Sequence, residues 1–342
     1  FTLPVFTTQP LKKSSKIVRA LLDVACRCHL RTRKKDNPMT LIKSNEPKIA
    51  VLLAAFNGMQ WIEEQVDTIL AQQGVDVSLY ISVDLSTDGT LQWCEALAEK
   101  DTHVTVLPYG ERFGGAAKNF YRLIRDVDFL GFDYVSLADQ DDIWFADKLK
   151  TACAALIEQK CDVYSSNSLS FWTDGRQMVL DKMQPQRKYD YLFQGGGAGC
   201  TYVANAASTQ QFKQFLLDNW EEATAVNYHD WLWYSFCRSQ GIQWHFDKGF
   251  KIRYRQHENN EFGSNTALRA AYKRLKLLKT GWYSAECLKI IRLVNKISTD
   301  IPAQFLEKNF QNRLFLLQNI SRLRRNFNER VFFFVIILIG HY

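Results

Sequence analysis

The sequence predicts an α/β fold, a mostly parallel sheet with helices on both faces, carrying basic helical extensions at its two ends. Three observations predict it. From Pro47 onward, short apolar runs alternate with segments of helical period, the pattern of strands joined by crossover helices. The first run, 48–55, is apolar at nearly every position, as a strand covered on both faces must be. The fourth, 134–138, ends in Asp139-Gln140-Asp141-Asp142, at the kind of strand end where open α/β sheets bind ligands.

Residues 1–46 form the first extension. Ile17, Val18, Leu21, Leu22, Val24 and Ala25 have helical spacing, and the basic run Arg31-Thr32-Arg33-Lys34-Lys35 follows before Asp36-Asn37-Pro38 breaks it. This is either a membrane-surface helix or a packing appendage. The chain begins with Phe, so a native N-terminus upstream is expected.

The central domain is expected over 47–267. Strand 48–55 is followed by the turn Asn57-Gly58 and by a helix face of Trp61, Ile62, Val66, Ile69 and Leu70. A second strand, 77–83, leads into Asp84-Leu85-Ser86-Thr87-Asp88-Gly89-Thr90. Helix 91–98, strand 102–107, helix 119–125, strand 134–138 and helix 148–159 continue the rhythm. After Asp162 it loosens. The run Gly195-Gly196-Gly197-Ala198-Gly199 either lets a ligand approach the backbone or is a flexible loop. A strand at 200–203, a helix at 210–217, His229-Asp230-Trp231 at a helix start, and a last strand at 252–256 complete the domain.

The second extension, 268–342, is basic and helical. It ends in nine apolar residues, 331–339, far short of the ~20 that span a bilayer. Arg322, Arg324, Arg325 and Arg330 precede them like a cytoplasmic flank. An interfacial anchor, the start of a transmembrane helix and a buried terminal helix are the alternatives, and membrane contact is the expectation.

Composition supports a globular core: 46% of residues are hydrophobic and 13% aromatic. The eight cysteines are scattered, and reduced cytosolic thiols are expected. Cys26-Arg27-Cys28 has the wrong spacing for a zinc knuckle. The net charge of +7 is unevenly spread. Residues 1–46 hold ten Lys/Arg against three Asp/Glu, residues 268–342 fourteen against four, and residues 47–267 nineteen against twenty-nine. An acidic middle excludes a nucleic-acid enzyme, whose cleft would be the basic part. Basic ends suit an anionic membrane surface.

Three carboxylates within four residues repel one another unless a cation lies between them. Hard oxygen ligands at this density suit Mg²⁺ or Mn²⁺ held together with a substrate diphosphate. The alternative is a solvated acidic turn before the helix that begins near Phe145. Asp84 at the end of the second strand, Asp230 and His257 are the other candidates that a parallel sheet would gather. His257 could add a nitrogen ligand. Asp230 is either a general base or the N-cap of a helix starting at Trp231.

Five motifs in order, Leu52-Leu53-Ala54-Ala55-Phe56-Asn57-Gly58, Ser86-Thr87-Asp88-Gly89-Thr90, Asp139-Gln140-Asp141-Asp142-Ile143-Trp144, His229-Asp230-Trp231 and Tyr254-Arg255-Gln256-His257-Glu258-Asn259-Asn260, resemble the family 2 glycosyltransferases, in particular the rhamnosyltransferase-like branch of bacterial cell-surface polysaccharide synthesis. The resemblance implies a GT-A, Rossmann-like fold and inverting transfer from a nucleoside-diphosphate sugar, dTDP-rhamnose or a UDP-hexose, to a glycan or lipid-linked acceptor. It implies cytoplasmic work, peripheral on the inner face of the membrane. It makes Asp139 and Asp141 the DxD pair on Mg²⁺ or Mn²⁺, with His257 as a further metal ligand. Asp84 would contact the base, Asp142 the donor sugar or ribose, and Ala55 and Asn57 would line the donor site. Arg255 would face the diphosphate, Asp230 would be the general base, and the backbone near Gly199 and Cys200 would line the acceptor side.

Two departures stand out. The family's Asp doublet and Gly before Ser-Thr-Asp-Gly-Thr are replaced by Val83-Asp84-Leu85, which weakens the carry-over to Asp84. The Gln-x-x-Arg-Trp signature of processive members is missing, so single-sugar transfer is expected. A nucleotidyltransferase would want a Gly-rich, basic loop after the first strand, and Ala54-Ala55-Phe56-Asn57-Gly58 lacks one. A non-catalytic, membrane-associated nucleotide-binding scaffold is the remaining alternative; it rests on Val83 and Leu85.

Overall fold

The computed structural model describes residues 46–257, 281–307 and 309–340. The expectations for residues 1–45, and those for Glu258-Asn259-Asn260, lie outside the described residues. The strands are β1 (Lys48–Ala55), β2 (Asp76–Val83), β3 (Val104–Val106), β4 (Tyr134–Ala138), β5 (Ile143–Trp144), β6 (Val163–Phe171), β7 (Gln177–Leu180), β8 (Val203–Asn205) and β9 (Trp244–Arg255). The helices are α1 (Ile62–Leu70), α2 (Thr90–Ala98), α3 (Ala116–Asp126), α4 (Lys148–Gln159), α5 (Ala206–Asp218), α6 (Trp220–Thr224) and α7 (His229–Ser239). The C-terminal segment adds α8 (Trp282–Asn295), α9 (Phe310–Gln318), α10 (Ile320–Leu323) and α11 (Phe327–Leu338).

Strand order is β3-β2-β1-β4-β8-β6-β9-β5, with β7 paired to β6. The half built from β3, β2, β1 and β4 is parallel, as the strand–helix alternation predicts. The other half is mixed: β8 runs antiparallel to β4 and β6, and β5 antiparallel to β9. The loss of rhythm after Asp162 is this change of topology. Parallel neighbours need long crossovers, and short connections such as that from β6 to β7 close antiparallel pairs instead. Two boundaries differ from expectation. Residues 199–201 form a 3₁₀ turn, so β8 starts only at Val203, and β9 begins at Trp244 rather than at residue 252.

The alternation of side chains along β1 divides the core. Ala50, Leu52 and Ala54 join a cluster with α3, α5, α7 and the C-terminal helices, whereas Ile49, Val51, Leu53 and Ala55 pack with α1, α2 and α4. The C-terminal helices belong to the first of these clusters. Ile290, Ile291 and Val294 of α8, with Phe305, Leu323 and Phe333, share it with Tyr191, Phe193 and Trp231. The described residues from Glu46 onward fall in one compact unit. Within α11, Phe333, Ile336 and Ile337 are buried. No helix among the described residues is long and apolar enough to cross a membrane.

A buried ion cluster fixes the C-terminal segment. Asp190 is fully buried and accepts from Arg238 of α7 at 3.1 Å, from Arg325 at 3.2 Å and from the Tyr234 hydroxyl at 3.2 Å. Arg325 also donates to the Gly195 carbonyl at 2.7 Å. Removing one partner of such a cluster leaves buried charge unanswered, at about 3–5 kcal/mol. Asp190→Ala should therefore lower the unfolding free energy by about that amount. Urea denaturation followed by tryptophan fluorescence would measure it, and a change below ~1 kcal/mol would show that the cluster does not hold the segment.

Candidate active site

Strand register gathers the chemistry at one end of the sheet. Ala55 of β1 lies opposite Val83 of β2, and Leu53 lies opposite Ala138 of β4. The residues that follow, Asn57, Asp84 and Asp139 to Asp142, consequently leave the sheet side by side. Directly after the aspartates, β5 pairs antiparallel with β9, with Ile143 opposite Arg253. Continued past the pair, that register carries His257 back to the acidic turn.

The loop after β1 is held by the Ser-Thr-Asp-Gly-Thr segment. Asn57, at φ 45°, donates its N–H to Ser86 Oγ (3.0 Å) and accepts from the Thr87 N–H (2.8 Å). The Gly58 N–H donates to Thr90 Oγ1 and the Met59 N–H to Asp88. Burial works to raise the Asp88 carboxyl, but hydrogen bonds from the Thr90 hydroxyl and the Met59 and Thr90 amides outweigh it and hold it below the usual range. Gln140 exchanges two hydrogen bonds with the Phe56 backbone, at 2.8 and 2.9 Å, which ties this loop to the acidic turn.

The aspartates have different environments. Asp84 is almost fully buried at the cavity wall, and its carboxylate accepts from the N–H groups of Leu85, Phe113 and Gly114. It orders the loop before α3. Asp141 pairs with His257, Oδ2 to Nε2 at 2.8 Å, and the imidazole stacks on Trp61 at 4.1 Å. Asp142, expected to touch the donor, is fully buried and is not among the residues lining the cavity. Burial first, then the charges of Asp141 and Asp139, push its carboxyl well above the ordinary range. Lys148 is buried nearby, over the Trp144 ring at 3.5 Å, and burial lowers its pKa to about 7. Arg255, expected at the diphosphate, also stays outside the lining: it donates to the Asp141 carbonyl at 2.9 Å and pairs with Glu64 at 2.5 Å.

The donor set can be tested against a divalent cation. Among the described residues, the three ligand atoms lying within 4.8 Å of one another belong to Asp139, Asp142 and Cys200, not to the expected Asp139, Asp141 and His257. The Cys200 thiol is buried, and burial together with the Asp142 and Asp139 charges pushes its pKa well up. A protonated soft thiol is a poor ligand for Mg²⁺ or Mn²⁺. Asp139, Asp141 and His257 all line the cavity and offer hard oxygens with one nitrogen, donor types that suit such an ion.

Asp230 lines the same cavity, in the first turn of α7. It is not the N-cap, a position held by Tyr228; its Oδ1 accepts from the next residue's N–H, that of Trp231, at 2.7 Å. The flanking residues have packing roles. His229 stacks on Phe120 at 4.1 Å, and burial lowers its pKa to about 3, so it is neutral. Trp231 donates to the Tyr191 carbonyl at 2.8 Å.

The glycine run is a packing surface for α7. A methyl group on Gly196 would sit 2.8 Å from the Tyr234 ring, and one on Gly199 2.7 Å from His229 Nε2 and 3.3 Å from Asp230 Cβ. Gly197 has φ 119°, which a larger residue rarely adopts. The run thus lets the helix bearing Asp230 approach the acidic turn.

The cavity measures about 980 Å³. Asn57, Ala55, Asp84, Asp139, Asp141 and His257 line it from the sheet, its strand ends and the loops beside them; a second group, Asp230, Tyr228, Trp282, Tyr283, Lys182 and Arg324, lines it from α7, the C-terminal segment and the residues after β7. Of the second group, sequence reasoning found only Asp230. Tyr228 caps α7 beside Asp230, Lys182 follows β7, and Trp282, Tyr283 and Arg324 come from the C-terminal segment. For the last three the only signal in the sequence was the aromatic and basic composition of that segment.

Residues 47–202 match the family described as "Glycosyltransferase like family 2". Over 290 residues the chain is 40% identical to the dTDP-rhamnosyl transferase RfbG of Shigella flexneri, across 84% of this chain and 99% of that one. The chain belongs to glycosyltransferase family 2. Another family relative, glycosyltransferase GlyG of Streptococcus pneumoniae serotype 4, is 28% identical over 125 residues, 36% of this chain and 40% of that protein. Among solved structures, TarS 1–349 of S. aureus in complex with UDP-GlcNAc overlays with a TM-score of 0.51 at 17% identity, covering 82% of this chain and 74% of that one. That likeness is one of fold, and it gives this glycosyltransferase the GT-A architecture. The protein is a sugar transferase.

Because Gly199 backs onto His229 and Asp230, Gly199→Ala should displace the first turn of α7. A misplacement near 1 Å costs on the order of 10²-fold in turnover. The expected result is a loss of transfer of about that size with unchanged far-ultraviolet circular dichroism and unchanged nucleotide binding. Full activity in this variant would remove the packing argument.

Proposed function

We propose that the chain is an inverting, metal-dependent glycosyltransferase that moves one sugar from a nucleoside-diphosphate sugar to a glycan or lipid-linked acceptor of cell-surface polysaccharide synthesis, at the inner face of the cell membrane. The observation that carries the reading is one cavity lined by Asp139, Asp141 and Asp230 together. The 40% identity to a dTDP-rhamnosyl transferase favours dTDP-rhamnose as donor over a UDP-hexose. The missing processive signature favours transfer of a single sugar.

Asp139, Asp141 and His257 would hold Mg²⁺ or Mn²⁺, which when bound supplies positive charge to neutralise the departing diphosphate. Asn57 and the backbone at Ala55, fixed by Ser86 and Thr87, shape the donor half. Asp84 orders the neighbouring loop, and any contact it makes with the base is in addition to its three backbone bonds. Arg255 supports Asp141 through the backbone. Burial and the neighbouring Asp141 and Asp139 charges raise the Asp142 pKa, which works to limit the charge that the turn carries.

The acceptor hydroxyl enters from the half lined by Tyr228 and Trp282. Asp230 takes its proton as the oxygen attacks the anomeric carbon, the bond from that carbon to the diphosphate oxygen breaks, and the nucleoside diphosphate leaves. A single displacement by one base inverts the anomeric centre.

Calorimetry with a panel of nucleoside diphosphates, with and without Mg²⁺ or Mn²⁺, tests the donor half. Binding should require the metal, and Asp141→Ala should abolish that dependence; equal binding in its absence would sink the metal-dependent reading. For the base, Asp230→Asn should bind donor normally and lose transfer by roughly 10²–10⁴-fold. Normal turnover would remove Asp230 from the role.

A further inference from the structure

We propose that the outward stripe of α11, with the adjoining face of α9, docks on an anionic phospholipid bilayer and holds the acceptor half of the cavity at the membrane. The delivery of a lipid-borne acceptor rests on the proposed function; the docking itself does not.

Helix α11 is apolar around nearly its whole circumference, and such a helix is normally covered on all sides. Here one face is covered, by way of Phe333, Ile336 and Ile337. On the opposite face Phe327 (70% exposed), Val331 (50%), Val335 (46%) and Leu338 (57%) recur at helical spacing. Phe310 (79%) and Leu314 (48%), from the α9 helix that packs against α11, add to the stripe. Exposed apolar surface on this scale marks a binding face. Among the described residues no helix is long and apolar enough to cross a bilayer, and an exposed apolar helix face of this kind can lie in the interface.

Charge selects the occupant. Arg313, exposed beside Leu314, has its guanidinium against the end of α11, about 3.2 Å from the Cβ position of Gly340. Arg322 is exposed on α10, which packs on the same helix. Across 268–342 the balance is fourteen basic residues to four acidic. An apolar stripe with the exposed Arg313 and Arg322 on the helices packed against α11 matches acyl chains beneath anionic headgroups, whereas a second copy of the chain would bring like charge against like.

Position ties the stripe to the reaction. Glu329, in the first turn of α11, and Arg324 line the cavity that holds Asp230. The helix that presents its apolar face outward is thus also a wall of the acceptor half, and a sugar carried on a membrane lipid would reach Asp230 along it.

Sedimentation of the full chain with vesicles of phosphatidylglycerol and phosphatidylcholine, against vesicles of phosphatidylcholine alone, tests the proposal. The chain should pellet with the anionic vesicles and at least about tenfold less with the zwitterionic ones, and salt should weaken the binding. The double variant Val331→Asp/Val335→Asp should lose vesicle binding by about tenfold or more while calorimetric binding of nucleoside diphosphate is unchanged. Should that variant fail to fold, Phe310→Ser/Leu314→Ser reads the same face from α9. Vesicle binding unaffected by the substitutions would overturn the proposal. So would a parent chain that ignores vesicles, whether it sediments as a dimer that the variant separates or as a monomer whose own residues cover the stripe. Loss of nucleotide binding in the parent chain would instead count against the proposed function and leave the docking standing.

Discussion

Repulsion among three aspartates in four residues is the constraint around which the cavity is built. At an effective dielectric of ~20, two unit charges 4 Å apart cost about 4 kcal/mol, so the turn cannot carry three full charges unaided. The fold answers in three ways. Asp142 is buried and driven toward its neutral form. Asp141 receives His257, which β9 delivers by running antiparallel to β5. Gln140, neutral in the middle of the cluster, bonds the loop after β1 and so couples the two strand ends that define the donor half. What faces the cavity is a reduced and positioned charge, carried by Asp139 and Asp141.

The other half of the cavity depends on a second buried charge. Asp190 binds a guanidinium from α7 and another from the C-terminal segment, so the helix bearing Asp230 and the wall opposite it are fixed to the same carboxylate. The glycine run then sets how closely α7 approaches the sheet, since His229 and Tyr234 occupy the space that side chains at Gly199 and Gly196 would fill. Asp230 is therefore located by packing on one side and by ion pairing on the other.

These dependencies explain what the sequence reveals and what it hides. The parallel half of the sheet was legible because Lys48–Ala55 and Tyr134–Ala138 are apolar runs with helical segments between them. The acidic turn was legible because carboxylates cluster there by local sequence. The antiparallel arrangement of β8 and β5 was not, since Val203–Asn205 and Ile143–Trp144 are too short to show a period. Likewise, periodicity shows that Asp142 and Arg255 lie beside a site but not that burial and Glu64 draw them off its wall. The histidine and tryptophan flanking Asp230 pointed toward chemistry in the sequence; Phe120 and the Tyr191 carbonyl account for both by packing. Trp282, Lys182 and Arg324 reach the cavity only through tertiary contacts of the C-terminal segment, which no local pattern encodes.

The charge balance has one further consequence for the proposed reaction. An acidic wall opposes a nucleoside diphosphate on its own, and it opposes it again as the diphosphate gains charge on leaving. A divalent cation reverses both interactions at once, so on this reading metal and donor favour each other's binding by the same factor, as linkage requires. The coupling originates in the same repulsion that buried Asp142. Were Asp142 charged and facing the cavity, the turn would hold metal more tightly with or without donor, and that differential would shrink. On the proposed reading, burying one of the three aspartates away from the cavity leaves a turn acidic enough to want a cation and still in need of the diphosphate to complete its coordination.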